Sequence, residues 1–129
     1  MRPIVVNGET WRVVRVPPDD PLLVDRTRVR RVATADPSTR TIRVSTELSP
    51  PLLDRVMIHE VAHAITMSYG LLDVLSHIVP PESQVQVEEW AVGLVETYGM
   101  EATALASEAL GRAVCVRGYC DDRLGDHRA

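Results

Sequence analysis

Five residues near the middle of the chain, His59-Glu60-Val61-Ala62-His63, place two imidazoles and a carboxylate at a spacing that a helix turns into chemistry. Four residues advance an α-helix by about 400°, so His59 and His63 project from nearly one line, a turn apart. One tetrahedral zinc ion can bridge them. Glu60 lies about 100° round from His59. From there it can reach a water at the ion's open position without binding the ion itself. Zinc lowers the pKa of such a water to about 7, and a neighbouring carboxylate can take its proton. The spacing therefore encodes a Lewis acid with a general base beside it. With 4 histidines in 129 residues, the pattern is expected by chance roughly 0.01 times, so two merely packed or solvated histidines are the weaker explanation.

A zinc ion that does chemistry usually has three protein ligands and one open position. The third should come from a later helix packed beside the first, and Glu88-Glu89-Trp90 is the candidate. Glu89 is the first choice and Glu88 the second. Two glutamates at a helix start also suit the helix dipole without any metal. A developing oxyanion needs a further donor. Tyr69, His77 and Tyr98 are the candidates, and His77, between the two metal-bearing helices, is preferred as oxyanion or supporting group.

These residues need elements to hold them. The chain reads as one domain, 1–129, with a β-rich part at 1–48. Its first metal helix and a short following segment span 49–79, a helical part with the third ligand spans 83–117, and 118–129 reads as a flexible tail. Asn7-Gly8 between Ile4-Val5-Val6 and Trp11 to Val16 is a hairpin signal, since both turn residues tolerate positive φ. Pro17-Pro18-Asp19-Asp20-Pro21 breaks the second strand. Arg28 to Ala35 reads as a strand, and Asp36-Pro37-Ser38-Thr39 as a turn. Thr41 to Ser45 alternates as a half-buried antiparallel strand, with Ile42 and Val44 on one face. Ser49-Pro50-Pro51 opens the first helix, which stops at Gly70. Ser83-Gln84-Val85-Gln86 reads as a capping box. The helix after it should turn Val87, Trp90, Ala91, Leu94, Val95 and Tyr98 inward.

Net charge is −4, which gives no global basic field and argues against nucleic acid. The local exception is Arg26, Arg28, Arg30 and Arg31, read as a solvated strand face or, less simply, as a docking patch for an acidic partner. All 14 basic residues are arginine and there is no phenylalanine. No apolar run approaches the roughly 20 residues of a membrane span, and the N-terminus lacks the apolar core of a secretory signal. The expectation is a cytoplasmic protein without a membrane partner. Cys115 and Cys120 do not have zinc-knuckle spacing, so two free thiols are expected in a reducing compartment, or a disulfide formed after purification. Asp121, Asp122 and His127 lack a ligand spacing that would add a second metal site.

Val56-Met57-Ile58-His59-Glu60-Val61-Ala62-His63-Ala64-Ile65, followed by Val87-Glu88-Glu89-Trp90-Ala91-Val92-Gly93-Leu94, resembles the small gluzincin-type metallopeptidases of the ImmA/IrrE group. It looks most like their short phage and prophage relatives. The similarity covers roughly residues 4 to 101. The resemblance implies an α+β fold, a small antiparallel three-stranded sheet packed on a zinc-binding helix pair, the minimal zincin fold. It implies Zn2+ held by His59, His63 and a glutamate, with Glu60 as base. A peptide would lie along an edge strand, expected at Thr41 to Thr46. The activity implied is peptide-bond hydrolysis in a protein substrate, with phage or stress-response repressors as the associated class, in a bacterial or phage-infected cytoplasm. Four residues after its ligand glutamate the group often carries Asn or Asp; here Glu89 has Gly93 and Glu88 has Val92. That departure keeps a second reading open: a zinc-stabilised interaction or regulatory module that does not hydrolyse.

Overall fold

The computed structural model describes residues 1–115, so the readings placed on the tail, on Cys120 and on Asp121, Asp122 and His127 lie outside the described residues. Of the two states expected for Cys115, the free thiol is not the one found. The chain divides into two compact units, Met1–Glu96 and Thr97–Ala129. In the second, the described residues form the helix Met100–Leu110, which ends on Gly111 at φ +68°, a left-handed cap that glycine adopts without strain.

The first unit is α+β. Its strands are β1 (Ile4–Val6), β2 (Glu9–Val16), β3 (Ala33–Asp36) and β4 (Thr41–Ser45), followed by helices α1 (Leu52–Ser68), α2 (Leu71–Ser76) and α3 (Gln84–Leu94). Asn7 and Gly8 both take positive φ and join β1 to β2, with Val6 opposite Glu9 and Ile4 opposite Trp11. The sheet has four strands in the order β1-β2-β4-β3 and is mixed, which corrects the antiparallel three-stranded expectation. β3 and β4 form an antiparallel hairpin, but β4 inserts between β3 and β2 and runs parallel to β2. The long connection 17–32 makes this possible, because a parallel pair needs a crossover rather than a tight turn.

Two corrections follow from that order. β4 is flanked on both sides and so is not an edge, and all five of its residues are buried, so it is not half-exposed. The edge beside it is β3. β3 is also shorter than expected: Arg28 sits in a turn at φ +67°, and only Ala33–Asp36 is strand.

The core lies between the sheet and α1, with Trp11, Ile42, Val44 and Ala64 at its centre and Leu53, Val56 and Met57 packed against it. Trp11 is 1% exposed. Its indole N–H donates to Ser68 Oγ at 2.8 Å, and the Asn7 amide donates to the Ser68 carbonyl at 3.0 Å. The hairpin is thereby tied to the end of α1. Trp11→Ala should cost about 3–5 kcal/mol of stability, since it leaves a large cavity and an unpartnered Ser68 hydroxyl. Urea unfolding reads that loss, and a midpoint unchanged from wild type would show that Trp11 is not part of the core.

α1 begins at Leu52 rather than Ser49, with the Leu53 amide still reaching the Ser49 carbonyl at 3.0 Å. Gly70, at φ +67°, ends it. The capping box expected at Ser83 does not form, because Ser83 ends a 3₁₀ turn that runs straight into α3 and its side chain makes no cap bond. The inward face of α3 also differs from expectation. Trp90 is 67% exposed, and Leu94, Val95 and Tyr98 are exposed as well, whereas Glu88 and Val92 are buried. No helix among the described residues is long and apolar enough to cross a membrane.

Candidate metal centre

α1 presents His59 and His63 on one line, and α3 packs beside it with Glu89 facing both. Donor atoms of His59, His63 and Glu89 all lie within 4.8 Å of one another, the one group of this kind among the described residues. His63 Nε2 is 3.1 Å from one Glu89 carboxylate oxygen, and His59 Nε2 is 3.6 Å from the other. Bonds of about 2.0–2.1 Å in a tetrahedron put neighbouring donors about 3.3 Å apart. Both histidine–glutamate separations are near this value, although each is to a different carboxylate oxygen. The three donors as a set span up to 4.8 Å, and a small divalent ion would have to draw them together. No fourth protein donor joins the three among the described residues.

The outward nitrogens are held too. His63 Nδ1 lies 3.4 Å from Glu88 Oε1, and His59 Nδ1 lies 3.1 Å from Glu96 Oε1. An ionised carboxylate accepts and cannot donate. With a cation at the Nε2 side, each Nδ1 would carry the proton and donate it to the carboxylate behind it. Carboxylates behind metal-binding imidazoles fix both the ring orientation and the tautomer. Each carboxylate is itself paired with an arginine. Glu88 is hydrogen-bonded to Arg26, and Glu96 Oε2 accepts from Arg55 Nε at 3.3 Å. Thr66 Oγ1, four residues before Gly70 on α1, donates to the His63 carbonyl at 2.7 Å and lies 3.4 Å from Glu88.

Glu88 is thus not in the donor set. It is 3% exposed and faces the back of His63. Burial alone would raise its pKa, but the bonds from His63 and Arg26 outweigh burial and hold it below the usual carboxylate range. Burial would likewise lower His63, and the carboxylates of Glu88, Glu89 and Glu60 more than reverse that. A pocket that stabilises an added proton on His63 also stabilises a cation at Nε2, because both place positive charge among the same carboxylates.

Glu60 is 7% exposed, and burial pushes its carboxyl up to about 7. Its charge is also felt by His63, which lowers the value, by Glu89, which raises it, and by Arg31, which lowers it. It stands apart from the donor set but lines the same cavity, of about 550 Å³, as His59, His63 and Glu89. β3 and the arginines Arg26, Arg28, Arg31 and Arg43 also line it, together with Asp25, Leu22 and Met67 among others.

His77 is not brought to this site. It is exposed after α2, and its Nδ1 sits 2.7 Å from the Asp73 carbonyl of its own helix, so it serves as a local cap. Tyr69 does not line the cavity, and Tyr98 belongs to the second unit. Gly93 faces open space, with nothing within 4 Å of where a Cβ would stand. The support expected from a side chain there is supplied instead by Glu96 and Glu88. Sequence reasoning missed Glu96 and Arg55, although both follow helical spacing: Glu96 is two turns beyond Glu89, and Arg55 one turn before His59.

Comparisons with known protein families, curated proteins and solved structures find no match to this chain. The functional reading therefore stands on the site's own geometry.

Proposed function

We propose that the chain is a zinc-dependent peptidase similar to the ImmA/IrrE group, with zincin-like use of α1 and α3. His59, His63 and Glu89 would hold the ion, and Glu60 would act as general base. The observation that carries this reading is the division of labour among four adjacent side chains: three converge as donors, and the fourth, a buried carboxylate, faces the same cavity without joining them. When bound, zinc would supply Lewis acidity, polarising a peptide carbonyl and acidifying a water. Glu60 would accept the proton of the attacking water on its carboxylate and return it to the departing amine nitrogen. Glu88 and Glu96 keep the two Nδ1 protons in place and so keep the Nε2 lone pairs aimed inward. β3, the edge strand on the cavity wall, offers an unpaired row of backbone groups to an extended peptide.

The rival reading, a zinc-stabilised interaction module, shares the donor set but has no use for Glu60. A buried carboxylate beside an open coordination position costs desolvation energy that a structural site need not incur. The test is zinc titration together with digestion of a proteome-derived peptide library. One zinc per chain, with cleavage that a chelator stops and zinc restores, is the expected result. Zinc binding at that stoichiometry with no cleavage selects the module, and no zinc binding overturns both readings.

A further inference from the structure

Arg26, Arg28, Arg30 and Arg31 are exposed, as expected, but they lie in the 17–32 connection rather than on a strand. Arg26, Arg28 and Arg31 line the cavity that holds Glu60, and Arg43 joins them from β4. Arg30 turns elsewhere, its guanidinium donating to the Pro18 carbonyl at 2.6 Å. Of the four on the wall, three have carboxylates of their own: Arg26 has Glu88, Arg31 Nε has Asp25 at 2.7 Å, and Arg43 has Asp36 at 3.4 Å. Arg28 has no ion pair among the described residues. Arg31 commits Nε alone, which leaves its terminal nitrogens without a partner among those residues.

Their backbone is braced. The Arg28 amide donates to the Asp25 carbonyl at 3.0 Å, and the Asp25 carboxylate accepts from the amides of Thr27 at 2.7 Å and Val29 at 3.2 Å. Val24 and Arg30 bridge the base of the turn. The turn therefore holds a cation at the rim of the cavity without the ordering cost that a loose loop would carry.

We propose that this wall binds a carboxylate of the substrate, so that the peptides taken carry an acidic group near the scissile bond, read by Arg28 and the free edge of Arg31. This rests on the peptidase reading above. A guanidinium presents parallel N–H donors that match a carboxylate. The cavity, about 550 Å³, has room for a few side chains and not for a duplex. The chain's net charge of −4 supplies no field to draw a polyanion. An acidic side chain and a free C-terminus offer the same group, and the probes separate them.

The experiment uses zinc-loaded full-length Glu60→Gln protein, which keeps the wall intact and does not consume the probe. Two libraries of N-acetylated, C-amidated octapeptides differ only in a central Glu or Gln; a third has the Gln centre and a free C-terminus. Preferential retention of the Glu or the free-acid library by about tenfold is expected, and which of the two is retained names the source. Arg28→Asn should remove the preference and Arg28→Asp reverse it; both residues tolerate the positive φ found there. Equal retention of all three libraries overturns the proposal, as does a preference that survives Arg28→Asp. Displacement of the retained peptides by duplex DNA at stoichiometric amounts would also overturn it, in favour of nucleic acid. Wild-type protein on the same libraries separates the two readings: cleavage without acidic preference sinks this proposal alone, and acidic retention without cleavage sinks the peptidase reading alone.

Discussion

Replacing Glu60 by glutamine is expected to leave one zinc bound per chain while lowering peptide hydrolysis by about 10²–10⁴-fold, the range of a positioned general base. Glutamine has nearly the shape of glutamate, so the packing of α1 against the sheet is preserved. It also removes a carboxyl that burial already disfavours in its charged form, and the fold should lose nothing. Because Glu60 is outside the group formed by His59, His63 and Glu89, the donor set stays complete. The informative combination is therefore unchanged zinc affinity, an unchanged urea midpoint and lost turnover. His59→Ala gives the contrast, with zinc affinity and turnover falling together. Cleavage by the Glu60→Gln protein at the wild-type rate would remove Glu60 from the mechanism.

What could be read from the sequence about this centre follows from how each feature is encoded. The alignment of His59 and His63 depends only on helical pitch, and α1 is a long, uninterrupted helix, so spacing alone brings them together. The Asn7-Gly8 hairpin is equally local. The inward face of α3 was illegible for a definite reason. Hydrophobic periodicity assumes that the buried stripe is apolar, yet this helix buries Glu88 against an imidazole and an arginine and leaves Trp90 in solvent. At such a site, burial is stabilised by ion pairs that no periodicity measure registers. Strand order failed for a different reason. The turn at Asp36 to Thr39 fixes β3 beside β4, but nothing local says which edge of that hairpin meets β2. The parallel pairing of β2 with β4 is set by the long connection, and that placement in turn makes β3 the edge and aims the arginine turn into the cavity.

Neighbouring glutamates of α3 should give opposite kinds of failure. Glu89→Ala removes a donor, leaving two imidazoles to hold the ion, and zinc affinity should fall by well over the roughly 10–100-fold typical of lost supporting groups. Glu88→Ala should cost about that 10–100-fold and no more, because His63 keeps its Nε2 but loses what orients it. It should also destabilise the metal-free fold by about 1–3 kcal/mol, since it strands the buried Nδ1 of His63 and frees Arg26. Glu88→Gln keeps a carbonyl oxygen for Nδ1–H to donate to, and should recover much of both losses. Crystal structures of the zinc-loaded variants separate the two roles directly: the Glu88 variants retain two imidazoles and the Glu89 carboxylate as protein ligands, and Glu89→Ala retains the imidazoles alone. If Glu88→Ala proved the more damaging to zinc binding and lost the carboxylate ligand, the two residues would have exchanged roles. The pairing of His63 Nδ1 with Glu88 would then have to break whenever the ion binds, and Arg26 would lose its carboxylate at the same moment. The arginine wall would then respond to metal loading through the freed Arg26, with acidic peptides binding more tightly to the zinc-loaded chain than to the metal-free one.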